Sequence, residues 1–177
     1  LWRCAGPLCF GMDVGRHRAL SVIAAGERIG GVTFVRGLLR MQNKRLPSQE
    51  VQIGALCRMP NFGRGLIDAT GIGLGLVEYA QKRFGMSRIA GVNYSVREAR
   101  ETAEAAARTA GGKAKKIPKA DTALVGELMA LDLLSAFESR AIRIPREMEL
   151  SDALLKPQRI TTATGVRIAA ETDDTGH

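Results

Sequence analysis

The stretch Arg64–Gly75, RGLIDATGIGLG, decides how the chain is read. Leu66 and Ile67 lead into a single acid, Asp68, and Gly71, Gly73 and Gly75 follow it. The pattern predicts a buried strand that ends on a carboxylate and turns sharply into a helix. In open α/β sheets, sites form outside the carboxyl ends of the strands, and a carboxylate placed there holds a metal or polarises a ligand. Further on, Ile72, Leu76, Val77, Ala80 and Phe84 recur at helical spacing, with Gly85 as the expected stop. Ile89–Tyr94 is expected to form the next strand.

Working back from there, Cys9–Val14 (CFGMDV) is an apolar run interrupted by Asp13. A carboxylate in a buried strand must be paired, metal-bound or protonated, because isolated burial is too costly. Ala19–Ala25 and Gly31–Leu39 are the second and third runs, with turns expected at Gly26-Glu27 and Gly30-Gly31. Three strands joined by short turns predict an antiparallel meander. After the basic connection Asn43–Pro47, the segment Pro47–Glu50 opens a helix expected to bury Val51, Ala55 and Leu56. The order is therefore three strands, helix, strand, helix, strand.

Composition narrows the function classes. At 177 residues the chain suits one domain with a real core. A formal net charge of +8 fits a polyanionic partner as well as a plainly basic surface. Cys4, Cys9 and Cys57 are odd in number and lack CxxC spacing, which predicts reduced thiols rather than a disulfide frame or zinc ribbon. No apolar run approaches the ~18 residues of a membrane span. The start at Leu1 shows neither Met nor a signal-peptide pattern, so the chain is expected to be a fragment of something longer. GGKAKK at Gly111–Lys116 lacks phosphate-loop spacing, and TGIGLG misplaces the third glycine of a dinucleotide fingerprint.

The second half is less apolar at first. Arg97–Arg108, rich in Ala, Glu and Arg, predicts an exposed helix, followed by a basic loop around Gly111-Gly112. Asp121 is the expected N-cap of a helix burying Leu124, Val125, Leu128, Leu131 and Phe137. Ile142–Pro145 reads as a short strand, Leu150–Arg159 as helix and Gly165–Thr172 as a late strand.

Asp13 and Asp68 lie 55 residues apart (68 − 13), yet each sits in or at the end of an apolar strand. If the first and fourth strands are parallel neighbours, both carboxylates reach one edge. There they can bridge two Mg²⁺ or Mn²⁺ ions about 3.5–4 Å apart, hard cations that take carboxylate and water ligands. The alternative reading makes one acid a turn former and pairs the other with an arginine. Arg16, Lys44, Arg45, Lys115 and Lys116 are candidate contacts to a phosphate backbone, as are Arg18 and Arg40. His17 reads as a turn cap or, alternatively, a ligand.

FGMDVGR at Phe10–Arg16, LIDATGIG at Leu66–Gly73 and the terminal DDTGH resemble the nuclease domain of phage terminase large subunits, the Mu-like prophage group in particular. The resemblance spans nearly the whole chain. It implies an α/β, RNase H-like (integrase-type) fold with a mixed five-stranded sheet flanked by helices. Strands one to three would be antiparallel, and four and five parallel to the first. It further implies a metal-dependent endonuclease that cuts concatemeric DNA during packaging, with Asp13 as the first acid and Asp68 as the second. The family's third acid follows the Gly-His at which this chain stops, which leaves Asp173 or Asp174 as the nearest substitute. A C-terminal helix would also be missing, leaving apolar sheet surface uncovered. Implied partners are double-stranded DNA, an upstream packaging ATPase domain, the small terminase subunit and the portal, in the cytoplasm of a bacterial host. A Holliday-junction-resolvase-like nuclease and an inactive prophage-remnant DNA-binding module are the competing readings.

Overall fold

The computed structural model describes residues 4–15, 20–99, 122–162 and 165–170. Its elements, in chain order, are β1 (Leu8–Asp13), β2 (Leu20–Ile29), β3 (Val32–Gln42), α1 (Leu46–Cys57), β4 (Phe62–Asp68), α2 (Gly73–Phe84) and β5 (Ile89–Val92). There follow β6 (Arg97–Ala99), β7 (Thr122–Leu124), α3 (Val125–Glu138), β8 (Ile142–Arg143), α4 (Met148–Leu155), β9 (Pro157–Thr162) and β10 (Gly165–Ala170). Two compact units result: Leu1–Tyr94 with Ala136–Pro145, and Ser95–Ser135 with Arg146–His177.

In the first unit one sheet runs in the order β5-β4-β1-β2-β3-β8. β1 pairs antiparallel with β2, and β2 with β3, while β1–β4 and β4–β5 are parallel. These are the relations expected of an RNase H-like core. The sheet has six strands rather than five, because Ile142–Arg143 adds to β3 in parallel, opposite Thr33 and Phe34.

Alternation along β1 divides the sheet's two faces: Leu8, Phe10 and Met12 are buried, whereas Cys9, Gly11 and Asp13 are exposed. The buried set meets Ile23, Ile53, Ile67, Leu76, Val77 and Ala80 in an aliphatic core. Phe10 stacks on Phe62 with ring centroids 5.7 Å apart, and its ring fills the space that a side chain on Gly65 would need.

Two local expectations are overturned here. Gly26-Glu27 is not a turn, since β2 runs on to Ile29 and the chain reverses at Gly30-Gly31, where φ is +56° and +84°. The ladder shifts register between Ala25 and Gly26, and Gly26 approaches the Phe34 carbonyl too closely for a side chain. Glu27 is buried because its carboxylate is satisfied: Oε2 accepts from Gly6 N–H and Oε1 from Arg36 Nε–H, each at 2.7 Å. The Gly6 hydrogen bond, then that of Arg36, holds the carboxyl below its usual range against the cost of burial. On α1 the buried positions are Gln49, Ile53, Gly54 and Cys57, while Val51 is 64% exposed and Ala55 is exposed as well. The buried glutamine is half satisfied: Gln49 Nε2 donates to the Lys44 carbonyl at 3.0 Å, whereas among the described residues its buried Oε1 accepts no hydrogen bond.

All three cysteines are free, as expected. Burial pushes the Cys57 thiol up to about 11, whereas Cys9 is exposed. Because thiolate is the reactive form, Cys9 should be alkylated by iodoacetamide at pH 8 while Cys57 reacts only after unfolding, as peptide mapping would show. The Cys57 contribution is fully present below the ordinary thiol value of 9.0 and is lost as pH rises from there through about 11.

In the second unit β6 pairs antiparallel with β7, and β9 with β10. Arg97–Ala99 is thus strand rather than the start of a helix, and the rest of that expected helix lies outside the described residues, with the basic loop and Asp121. The Leu150–Arg159 helix ends at Leu155, and β9 takes over from Pro157. The face expected along α3 is only half-buried, at Val125, Leu128 and Leu131. Leu124 belongs to β7, none of the helix residues is buried, and Met129, Leu133, Leu134 and Phe137 are exposed. Among the described residues, no helix is long and apolar enough to cross a membrane.

Candidate metal centre

Asp13 closes β1 and Asp68 closes β4. These strands are parallel neighbours with Met12 opposite Ile67, so the two acids are the next pair in register at the carboxyl ends. In-register residues of neighbouring strands face the same side of a pleated sheet. The condition on which the site depended is met by the backbone pairing itself. Continuing across the sheet, Asp68 pairs with Val92 of β5, Asp13 with Val22 of β2, and Val22 with Arg40 of β3. One transverse row therefore reads Val92, Asp68, Asp13, Val22, Arg40.

The turn after Asp68 is built to hold that carboxylate. Thr70 N–H donates to Asp68 Oδ1 at 2.9 Å, and Ala69 N–H donates to the Val92 carbonyl at 2.8 Å. Gly71 takes φ of +60°, a region other residues avoid, which turns the chain into α2. A Cβ on Gly73 would collide with the Asp68 carbonyl oxygen, so the helix can begin this close only on glycine. Asp68 is thus a turn former, as the alternative reading has it for one of the acids. Among the described residues neither acid forms an ion pair with an arginine.

Asp68 is buried and Asp13 is exposed. Partial burial raises the Asp13 carboxyl above its usual range, and the Asp68 charge raises it further. Two carboxylates that repel each other at a strand edge fit a hard divalent cation, which would offset both charges and accept their oxygens. Tyr94 was not singled out from the sequence as a site residue. It follows β5 at the same edge, and its phenol is raised first by burial and then by the charges of Asp68 and Asp13. The sequence shows only a polar-tipped aromatic after an apolar run; that this run lies beside the acid-bearing strand comes from the β4–β5 pairing.

Lys44 and Arg45 are exposed in the connection from β3 to α1, where the Arg45 carbonyl accepts from Ser48 N–H and Gln49 N–H. A cleft of about 390 Å³ lies there, with Arg40, Lys44, Ser48 and Gln52 among its walls. Arg16, His17, Lys115, Lys116 and Asp174 lie outside the described residues. Among the described residues, no group of three His, Cys, Asp or Glu side chains that could hold a metal ion comes together.

No family model matches the chain, and no curated protein matches it. Solved structures do. The large terminase nuclease of thermophilic phage G20c with bound magnesium is similar at a TM-score of 0.63 and 17% identity, over 99% of this chain and 77% of that one. That nuclease has also been solved with cobalt and with zinc. The large terminase nuclease domain of Thermus phage P74-26 gives a TM-score of 0.62 at 16% identity, over 97% and 73% of the two chains. Against the large terminase of a further thermophilic bacteriophage the TM-score is 0.60 at 8% identity, over 96% of this chain and 37% of that one. The fold of this chain is that of large terminase nuclease domains.

Proposed function

We propose that the chain is a single metal-dependent DNA endonuclease domain of a phage packaging terminase. The observation that carries this reading is the pair Asp13–Asp68 at adjacent carboxyl ends of parallel strands. These two side chains would hold Mg²⁺ or Mn²⁺, with Asp174 as the candidate third ligand. A divalent cation bound there supplies Lewis acidity toward a phosphodiester and a water nucleophile at neutral pH. The protein's part is positional. Thr70 N–H fixes one oxygen of Asp68, Gly71 and Gly73 set the strand end close to α2, and Asp13 adds its charge from the next strand.

Arg40, Lys44 and Arg45 would carry the duplex away from the acids. Arg40 stands two strands from Asp13 in the transverse row, about 10 Å at the usual strand spacing. Cations along such a path contact phosphates and position DNA without reading its sequence. Arg16, Lys115 and Lys116 are proposed for the same role. An upstream ATPase domain, a small terminase subunit and a portal would supply the packaging partners.

The test is binding of random duplex against salt. Log affinity should fall linearly with log salt concentration, by about 0.9 per phosphate contact. The double variant Lys44→Ala/Arg45→Ala should lower that slope by about 2. Binding that is flat from about 50 to 200 mM salt would remove DNA as the substrate.

A further inference from the structure

We infer that Tyr94 is a substrate-positioning residue whose hydroxyl donates to a phosphate oxygen of the strand held at Asp13 and Asp68. This rests on the metal-nuclease reading and deepens it. The backbone places the residue. Val92 is the register partner of Asp68 and its carbonyl accepts from Ala69 N–H, so β5 is tied to the end of β4 where the acid stands. Tyr94 follows two residues on, at the same carboxyl edge and in the same compact unit as both acids. It is half-buried, so part of the side chain remains accessible at that edge.

Its electrostatic setting agrees with that placement. A phenol is protonated at neutral pH and so is a donor there; burial first, then the charges of Asp68 and Asp13, raises it further. Among the described residues, that donor is not hydrogen-bonded to either carboxylate, and Asp68 Oδ1 takes its bond from Thr70 N–H. A neutral donor suits this position. A lysine or arginine would pair with the acids and compete with the cation for them, whereas a phenol leaves their charge intact and still offers an O–H to an incoming phosphodiester. The other tyrosine, Tyr79, belongs to α2 and packs against the core, which makes it a natural control.

The experiment uses Tb³⁺ as the metal probe and a short random duplex with Ca²⁺ as the binding probe, on the parent chain and on Tyr94→Phe, Tyr79→Phe and Asp68→Ala. Phenylalanine keeps the ring and removes only the hydroxyl. Tyr94→Phe should retain Tb³⁺ affinity within about twofold by calorimetry and lose most of the tyrosine-sensitised Tb³⁺ emission. It should bind duplex about tenfold more weakly, the effect of losing one hydrogen bond to a charged group. Tyr79→Phe should match the parent throughout, and Asp68→Ala should lose Tb³⁺ binding. Undiminished duplex affinity in Tyr94→Phe overturns the inference. So does a loss of Tb³⁺ affinity in that variant, because the hydroxyl would then serve the metal rather than the phosphate. If the parent itself binds no Tb³⁺, the metal-nuclease reading falls and takes this inference with it, an outcome distinct from the other two.

Discussion

Asp68→Ala is expected to reduce metal-dependent nicking of supercoiled plasmid by about 10³-fold or more, a loss typical when one member of a group that acts as a unit is removed. Asp68 and Asp13 are adjacent in register, so removing either leaves a single carboxylate to hold a doubly charged ion. Neither Asp68→Asn nor Asp13→Asn keeps the charge, and both should fall with Asp68→Ala. The turn supplies the control for misfolding. Asparagine at position 68 retains an oxygen to accept from Thr70 N–H, so Asp68→Asn should melt within a few degrees of the parent while losing activity. Nicking by Asp68→Ala at the parental rate in Mn²⁺ would remove the proposed chemistry.

Gly73→Ala should fail in both stability and activity, although alanine is ordinarily the better helix residue by up to about 1 kcal/mol. The added methyl meets the Asp68 carbonyl oxygen, which belongs to backbone and cannot swing aside as a flexible side chain would. Overpacking of this kind costs about 1–3 kcal/mol, and because the obstacle is main chain the upper end applies. Net destabilisation of about 2 kcal/mol corresponds to a fall in Tm of roughly 4–8 °C for a chain of this size. The strand end must also move, and a shift of about 1 Å in a reacting group can lower the rate by about 10²-fold. Gly75→Ala, two residues along the same helix with open space around it, should instead hold or slightly raise Tm and leave nicking unchanged. Equal behaviour of the two variants in a melting and nicking comparison would contradict the close approach at Gly73.

The contrast between these glycines shows what a sequence can and cannot carry. Both read identically in RGLIDATGIGLG, and only the packing tells them apart. Asp13 and Asp68 were legible because an acid closing an apolar run is conspicuous, and their partnership was legible as a condition on strand pairing. Glu27 was misread as part of a turn because its partners, Gly6 and Arg36, lie 21 and 9 residues away. The inner face of α1 was misread for a related reason. Apolar spacing pointed to Val51 and Ala55, whereas the helix turns Gln49 inward, where its amide donates to the Lys44 carbonyl. β9 was absorbed into a helix because a short strand with a single antiparallel partner has no periodicity of its own long enough to count. Tyr94 went unassigned since its meaning depends on which strand lies next to β5.

The pairing of β1 with β4 also sets an order of events. The β1–β2–β3 meander closes through contacts near in sequence, whereas Asp13 meets Asp68 only across a 55-residue loop (68 − 13) that costs more entropy to close. A folding chain thus acquires its sheet scaffold before it acquires a place for a cation. A ligand that recognises only the finished pair stabilises the folded state without rescuing the partly folded one. On the proposed reading, cation affinity would then report completion of the long-range closure.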